Sequence, residues 1–258
     1  MGQHSQYIQN VLSKRNGIIN VSTAQSAANK VLPVIRNWGG KFIHDISLSG
    51  SYAKGTAVQG GTDIDLFISL LSTTNEGLSD IYNTLYNAMT SNGFATARKQ
   101  NVSIGLTVDG FKVDLVPGKR QGVYGSDHSL YKNKTGTWTK TNIKTHIDLV
   151  KGCGRLSEIR AMKIWRNNKG LDFSSFYLEL SVIEALKGAA LVSSGNGDLS
   201  KNIVRVLQYL ESDFKTARVI DPANANNVIS ADITQQGKIN IAQAAARSLQ
   251  GQWEDFIS

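Results

Sequence analysis

The chain has little of several things. Of its 258 residues one is cysteine, Cys153, and three are proline. A single thiol builds neither an internal disulfide framework nor a multi-cysteine metal site. The shortage of proline and the lack of low-complexity tracts argue against long disordered segments. No apolar run approaches the roughly 18 residues of a membrane span, and the opening MGQHSQYIQN has no signal-peptide core. No membrane partner and a cytoplasmic location are therefore expected. There is no P-loop, no complete GxGxxG and no HExxH spacing among the four histidines, so ATPase, dinucleotide-binding and zinc readings find no support. What is present, 41% hydrophobic and 19% charged residues, suits one large globular domain or two modest ones.

The charge is uneven. Residues 1–145 hold 15 Lys/Arg against 8 Asp/Glu, whereas residues 146–258 are nearly balanced at 13 against 12. Seven bases fall in 112–144 (Lys112, Lys119, Arg120, Lys132, Lys134, Lys140, Lys144) beside Asp114 and Asp127. Such an excess steers phosphate-bearing partners toward the surface. Two readings stay open for it: a solvated basic loop, or a site for a nucleic-acid acceptor, product or activator.

Hydrophobic periodicity divides the chain. Residues 5–38 read as helix in two pieces broken near Asn16-Gly17, with Val31, Val34, Ile35 and Trp38 at helical spacing. FIHDISLSGS reads as a strand entering a turn, DIDLFISLL as a strong strand, and 76–91 as a helix. VSIGLTV and GFKVDLVPG flank Asp109-Gly110, a hairpin signal. The glycine-rich, basic stretch 117–142 reads as a long loop. Beyond it only helices are expected, at 143–151, 156–169, 175–192, 200–214 and 236–257, with the nearly all-apolar 175–192 buried at their centre. The expected class is α+β: a mixed-sheet core with flanking helices over 1–142 and a helical lobe over 143–258.

Three acids carry the chemistry. Asp63 and Asp65 are two apart on one strand, so both side chains leave the same face. Asp114 alternates with Phe111, Val113 and Leu115 on a second strand. If the two strands are neighbours, three carboxylates converge; alone they repel and resist ionising. Hard oxygen ligands with room for phosphate suit magnesium, and a pair of such ions about 4 Å apart activates an attacking hydroxyl and stabilises a leaving oxygen. The bland alternative is two solvated acids on an edge strand. Upstream, Gly50 and Ser51 in SGSYAKGT lie at a turn where backbone N–H groups can meet phosphate, with Lys54 near by.

Gly50-Ser51, the eleven residues 52–62, Asp63-Ile64-Asp65 and a distal Asp114 resemble the DNA polymerase β-like nucleotidyltransferases. The string GSYAKGTAVQGGTDIDLF is most similar to the branch of class I CCA-adding enzymes, oligoadenylate synthetases and bacterial cGAS/DncV-like nucleotidyltransferases. The resemblance implies a polymerase β-like core with its active site in the cleft facing the helical lobe. It implies transfer of NMP or dNMP from a nucleoside triphosphate to a hydroxyl, with Asp63, Asp65 and Asp114 on two magnesium ions (manganese as substitute). Lys163 in RAMKIWRNN, His146, Ser174, Ser175 and Tyr177 are then expected at the triphosphate and base, with Gly50, Ser51 and Lys54. Lys163 also shares the apolar stripe of Leu156 and Ile159, which calls for an anion to meet it or for a snorkelling side chain. His146 is equally an ordinary surface histidine, and Ser174 or Ser175 a helix cap. VIDPANANNVIS, 219–230, is similar to the segment closing the pocket, with Ala225 where proline is common. A chain ending at Ser258, without the long extension that holds tRNA, favours short linear or cyclic oligonucleotide signals in antiphage defence. Minimal tRNA 3′-end addition, nucleotide transfer to a protein hydroxyl, and a catalytically dead nucleotide- or RNA-binding module are the alternatives.

Overall fold

The computed structural model describes residues 2–16, 21–59, 63–192 and 197–258. In chain order the elements are α1 (Gln3–Asn16), α2 (Val21–Gly39), β1 (Ile43–Leu48), α3 (Gly50–Lys54), β2 (Ile64–Leu70), α4 (Leu78–Ser91), β3 (Arg98–Lys99), β4 (Ile104–Val108), β5 (Phe111–Arg120), β6 (His128–Lys132), β7 (Thr137–Thr141), α5 (Ile143–Gly152), α6 (Leu156–Asn168), α7 (Ser175–Ala185), α8 (Leu199–Glu211), β8 (Ile220–Asp221), β9 (Asn224–Val228) and α9 (Gln235–Gln250). The expected break after Asn16 falls at Gly17, outside the described residues.

The chain falls into two compact units: 20–54 with 62–147, and 1–19 with 55–61 and 148–258. The division expected after 142 therefore comes at Asp148, and α1 joins the helical unit despite its place in sequence. It is held there by Ser5, whose Oγ donates to Asp198 Oδ1 at 2.6 Å, and by Tyr7, whose hydroxyl donates to the Ile257 carbonyl at 3.0 Å.

The first unit is a sheet in the order β1-β2-β5-β4-β3, with β6 added to β5 and β7 to β6. β2 and β5 are parallel and the other neighbours antiparallel. β2 is buried at every position except Asp65, as its unbroken apolar run requires of an interior strand covered on both faces. Helices α2 and α4 supply Ala28, Val31, Ile35, Ile81, Leu85 and Met89 to its core. The β4–β5 hairpin turns at Asp109 (φ 50°) and Gly110 (φ 82°), the two left-handed positions of a type I′ turn.

The stretch 117–142 is not a loop. β5 runs on to Arg120, and HSLYK and TWTKT pair as β6 and β7 in full register. The lysines there sit on strands rich in Thr, Tyr and Trp, whose β preference outweighs the charge. Two helices are shorter than their apolar patterns. α7 stops at Ala185 because the chain turns left-handed at Gly188 (φ 73°) and the Arg155 guanidinium gathers the carbonyls of Leu186 (3.1 Å) and Ala190 (2.9 Å). α9 ends at Gln250, before Gly251. The second half also contains strands: β8 and β9 form a small hairpin.

Candidate active site

The parallel pairing of β2 with β5 sets Asp65 directly opposite Asp114. Paired positions on neighbouring strands point the same way, with strands about 4.8 Å apart, so the carboxylates share one face. β2 lies between β1 and β5, so these are not solvated acids of an edge strand. Asp63 stands two residues before Asp65, and its charge reaches Asp114: burial first, and then Asp63, push the Asp114 carboxyl above the usual carboxylate range. The Gln100 hydrogen bond and the charges of Arg98 and Lys112 pull the other way. Tyr52 also feels Asp63, its hydroxyl raised by burial and by that charge.

Gly50 closes the site from the preceding turn. Its φ is +56°, and a Cβ there would lie 1.7 Å from Asp65 Oδ2. Both the backbone and the space demand glycine. Ser49 fixes the contact, its N–H donating to the Asp65 carbonyl at 2.8 Å. Ser51 is half-buried in the first turn of α3, and Lys54 is buried at that helix's end.

Hard carboxylate oxygens and the mutual repulsion felt by Asp114 fit divalent cations, which relieve that repulsion. Among the described residues, no three His, Cys, Asp or Glu side chains are gathered closely enough to ligate one ion as they stand.

In the helical unit Lys163 is 1% exposed, and the anion its position calls for is Glu179. Its Nζ lies 2.6 Å from Glu179 Oε1 and donates to Thr56 Oγ1 at 2.8 Å, while the Thr56 hydroxyl donates to the same carboxylate at 2.7 Å. The side chain is thus buried against an internal carboxylate rather than snorkelling to the surface. Tyr177, expected at the base, is a core side chain with no exposure, its ring against Phe173 and Phe214. Ser174 caps α7, accepting from the Tyr177 N–H. Ser175 is half-buried and accepts from Arg166 Nη1 at 3.1 Å. His146 is half-buried on α5. In 219–230 Asp221 is buried and ties the β8–β9 hairpin, accepting from the Ala223 N–H and from Asn227 Nδ2. In the basic region Trp138 on β7 and Tyr124 between β5 and β6 are exposed.

Three participants escaped the sequence reading. Glu179, an acid in the middle of an apolar helix, was a usable signal; so was Thr56, inside the SGSYAKGT string. Gln100, whose Nε2 donates to Asp114 Oδ1 at 3.1 Å, had none.

Comparison with known proteins bears on the family and the fold. The family model described as "Second Messenger Oligonucleotide or Dinucleotide Synthetase domain" matches residues 3–153. The cyclic AMP-AMP-AMP synthase of Escherichia coli (strain MS 115-1) is 26% identical over 234 residues, spanning 76% of this chain and 72% of its own. Among solved structures, E. coli MS115-1 CdnC with ATP superposes with a TM-score of 0.71 at 20% identity, covering 95% of this chain and 90% of its own. Bradyrhizobium diazoefficiens CdnG with GTP gives 0.68 at 13% identity, over 87% and 83%. These likenesses establish a common fold.

Proposed function

This chain belongs to the Second Messenger Oligonucleotide or Dinucleotide Synthetase domain family, a family of nucleotidyltransferases, and from that premise we propose that it joins nucleoside triphosphates into a short cyclic oligonucleotide signal serving antiphage defence. The register that sets Asp65 beside Asp114 beneath Gly50 carries this reading. The reaction is attack of a hydroxyl on an α-phosphate: a new P–O bond forms, the bond to the β-phosphate breaks, and pyrophosphate departs. Asp63, Asp65 and Asp114 would hold two magnesium ions, with manganese as substitute, which supply charge neutralisation and lower the pKa of the attacking hydroxyl.

The chain's own groups do the rest by position and charge. The bare Gly50 backbone lets the triphosphate approach the carboxylates, and the Ser51 hydroxyl is a donor to it. Asp114, paired with Asp65 across the two strands, is the carboxylate proposed to complete the site of the ion that binds the acceptor and to accept or relay the hydroxyl's proton. His146 and Ser175, both half-buried, are the remaining proposed contacts to phosphate. Lys163 is the cationic contact to the triphosphate that the sequence proposes; its ammonium bonds Glu179 and Thr56.

ATP is the first substrate to test, because the curated relative is named a cyclic AMP-AMP-AMP synthase. Purified protein is incubated with each labelled NTP and dNTP and magnesium, without acceptor. Phosphatase-resistant short oligomers are expected. Label passing only to added tRNA, or to protein on a denaturing gel, would overturn the reading.

A further inference from the structure

Asp114 is the outermost of the three carboxylates in chain order, and it is held by more than its strand. The β3–β4 turn is closed by Gln100 and Ser103: the Gln100 N–H donates to the Ser103 carbonyl at 2.9 Å. The Gln100 side chain reaches from that turn to Asp114, Nε2 to Oδ1 at 3.1 Å. Its other end is claimed by Ser103, whose Oγ donates to Gln100 Oε1 at 2.5 Å. That bond orients the carboxamide, leaving the NH2 to face the carboxylate. Tyr82, fully buried, donates its hydroxyl to the Gln100 carbonyl at 2.6 Å, with the Ser103 carbonyl 3.0 Å away. The neighbouring Asn101 is clasped by the β6–β7 turn, its carbonyl accepting from the Asn133 N–H at 2.7 Å.

A second, independent feature makes room for this arm. Gly105 pairs with Asp114 across β4 and β5. A Cβ at Gly105 would lie 2.4 Å from Gln100 Nε2 and 3.1 Å from Asp114 Oδ1. Gly105 is not among the positive-φ glycines, so its backbone does not require glycine; the carboxamide beside it does.

We infer that Gln100 is a positioning residue for Asp114: its carboxamide, oriented by Ser103 and admitted by Gly105, fixes the orientation of the carboxylate on the face it shares with Asp65. This rests on Asp114 being the third carboxylate of the proposed site. Partners that orient a ligating carboxylate typically contribute ten- to a hundredfold to metal affinity or activity.

The test compares wild type, Gln100→Leu, Gly105→Ala, the double variant and Asp114→Asn. Manganese affinity is read by electron paramagnetic resonance without nucleotide, alongside thermal midpoints and the kcat and KM of pyrophosphate release from ATP. Gln100→Leu is expected to weaken manganese binding about tenfold and lower kcat about as much, with KM for ATP and the thermal midpoint little changed. Gly105→Ala, which evicts the carboxamide without altering it, should give the same pattern, and the double variant should be no worse than either single one. Should Gly105→Ala fail to fold, Ser103→Ala replaces it; a carboxamide freed to flip should give an intermediate loss. Wild-type manganese affinity and kcat in Gln100→Leu, with both abolished in Asp114→Asn, would make Gln100 a mere turn residue. Additive losses in the double variant would refute the shared mechanism. Asp114→Asn that binds manganese and releases pyrophosphate as wild type does would instead sink the three-carboxylate reading itself.

Discussion

Two regions of this protein keep charge away from bulk water, and they do so in opposite ways. In the helical unit the buried Lys163 ammonium meets the buried Glu179 carboxylate at 2.6 Å, with Thr56 bonded to both. In the sheet unit Asp114 lies beside another carboxylate, and its own resists ionising. A buried pair of opposite charges compensates itself and fastens the elements that carry it. A cluster of like charges is kept only where something else supplies the opposite sign. The contrast is one of compensation: opposite charges meet in the helical unit, like charges in the sheet unit.

The sharpest break in that contrast is to remove a charge from the cluster. Asp65→Asn or Asp63→Asn should abolish magnesium-dependent pyrophosphate release, by roughly a thousandfold or more, with the circular dichroism spectrum unchanged. Asp114→Asn should do the same and, in addition, raise the thermal midpoint of the metal-free protein. The sign follows from linkage: a carboxyl whose pKa is higher folded than unfolded opposes folding at neutral pH, where it must be ionised. A lower midpoint would contradict the repulsion.

Next in size is the fastening. Glu179→Gln leaves a buried ammonium without its counter-charge and should destabilise the helical unit by about 3–5 kcal/mol in denaturant titration. Replacing both partners, Lys163→Met with Glu179→Leu, should recover most of that loss. A Lys163→Met protein that is fully stable but has a raised KM for ATP would support the triphosphate role expected from the sequence.

A third measurement concerns pH. His128 is buried, its Nε2 2.8 Å from Ser69 Oγ and its Nδ1 2.9 Å from the Ser126 carbonyl. Burial is the main cause that holds its pKa below the usual histidine value. The unfolded chain therefore takes up a proton before the folded one does. This contribution is intact above about pH 6.5 and is lost as pH falls toward the folded value. The sheet unit's thermal midpoint should drop between pH 7 and 5 in wild type, and less so in His128→Gln.

The smallest effect is expected at Tyr177, whose buried hydroxyl has no hydrogen-bond partner among the described residues. Tyr177→Phe should leave the thermal midpoint unchanged or slightly raised, within about 1 kcal/mol. A large loss of ATP affinity would return the residue to the nucleotide pocket.

Much of this was legible in the chain. The alternation of Asp63, Ile64, Asp65 and Leu66 announces the strand and the shared face of its acids. Asp109-Gly110 announces the hairpin that returns β5. The basic 117–142 stretch reads as a loop by its charge density, whereas its Thr, Tyr and Trp residues build β6 and β7. α7 misled because its apolar run continues past the residue at which Arg155 gathers the carbonyls and ends the helix. The apolar stripe shows that Lys163 faces inward and needs an anion, but not that Glu179, sixteen residues on in α7, supplies one.

The sequence by itself determined which side chains can do chemistry and on which face of each element they stand, because strand and helix periods are local properties of the backbone. Tertiary structure alone decided that Asp65 and Asp114 are paired positions, that Gly50 presses on the first and Gln100 steadies the second, and that Lys163 is already matched by Glu179. Those are distances between residues far apart along the chain, set by strand register and helix packing, and no local pattern encodes them.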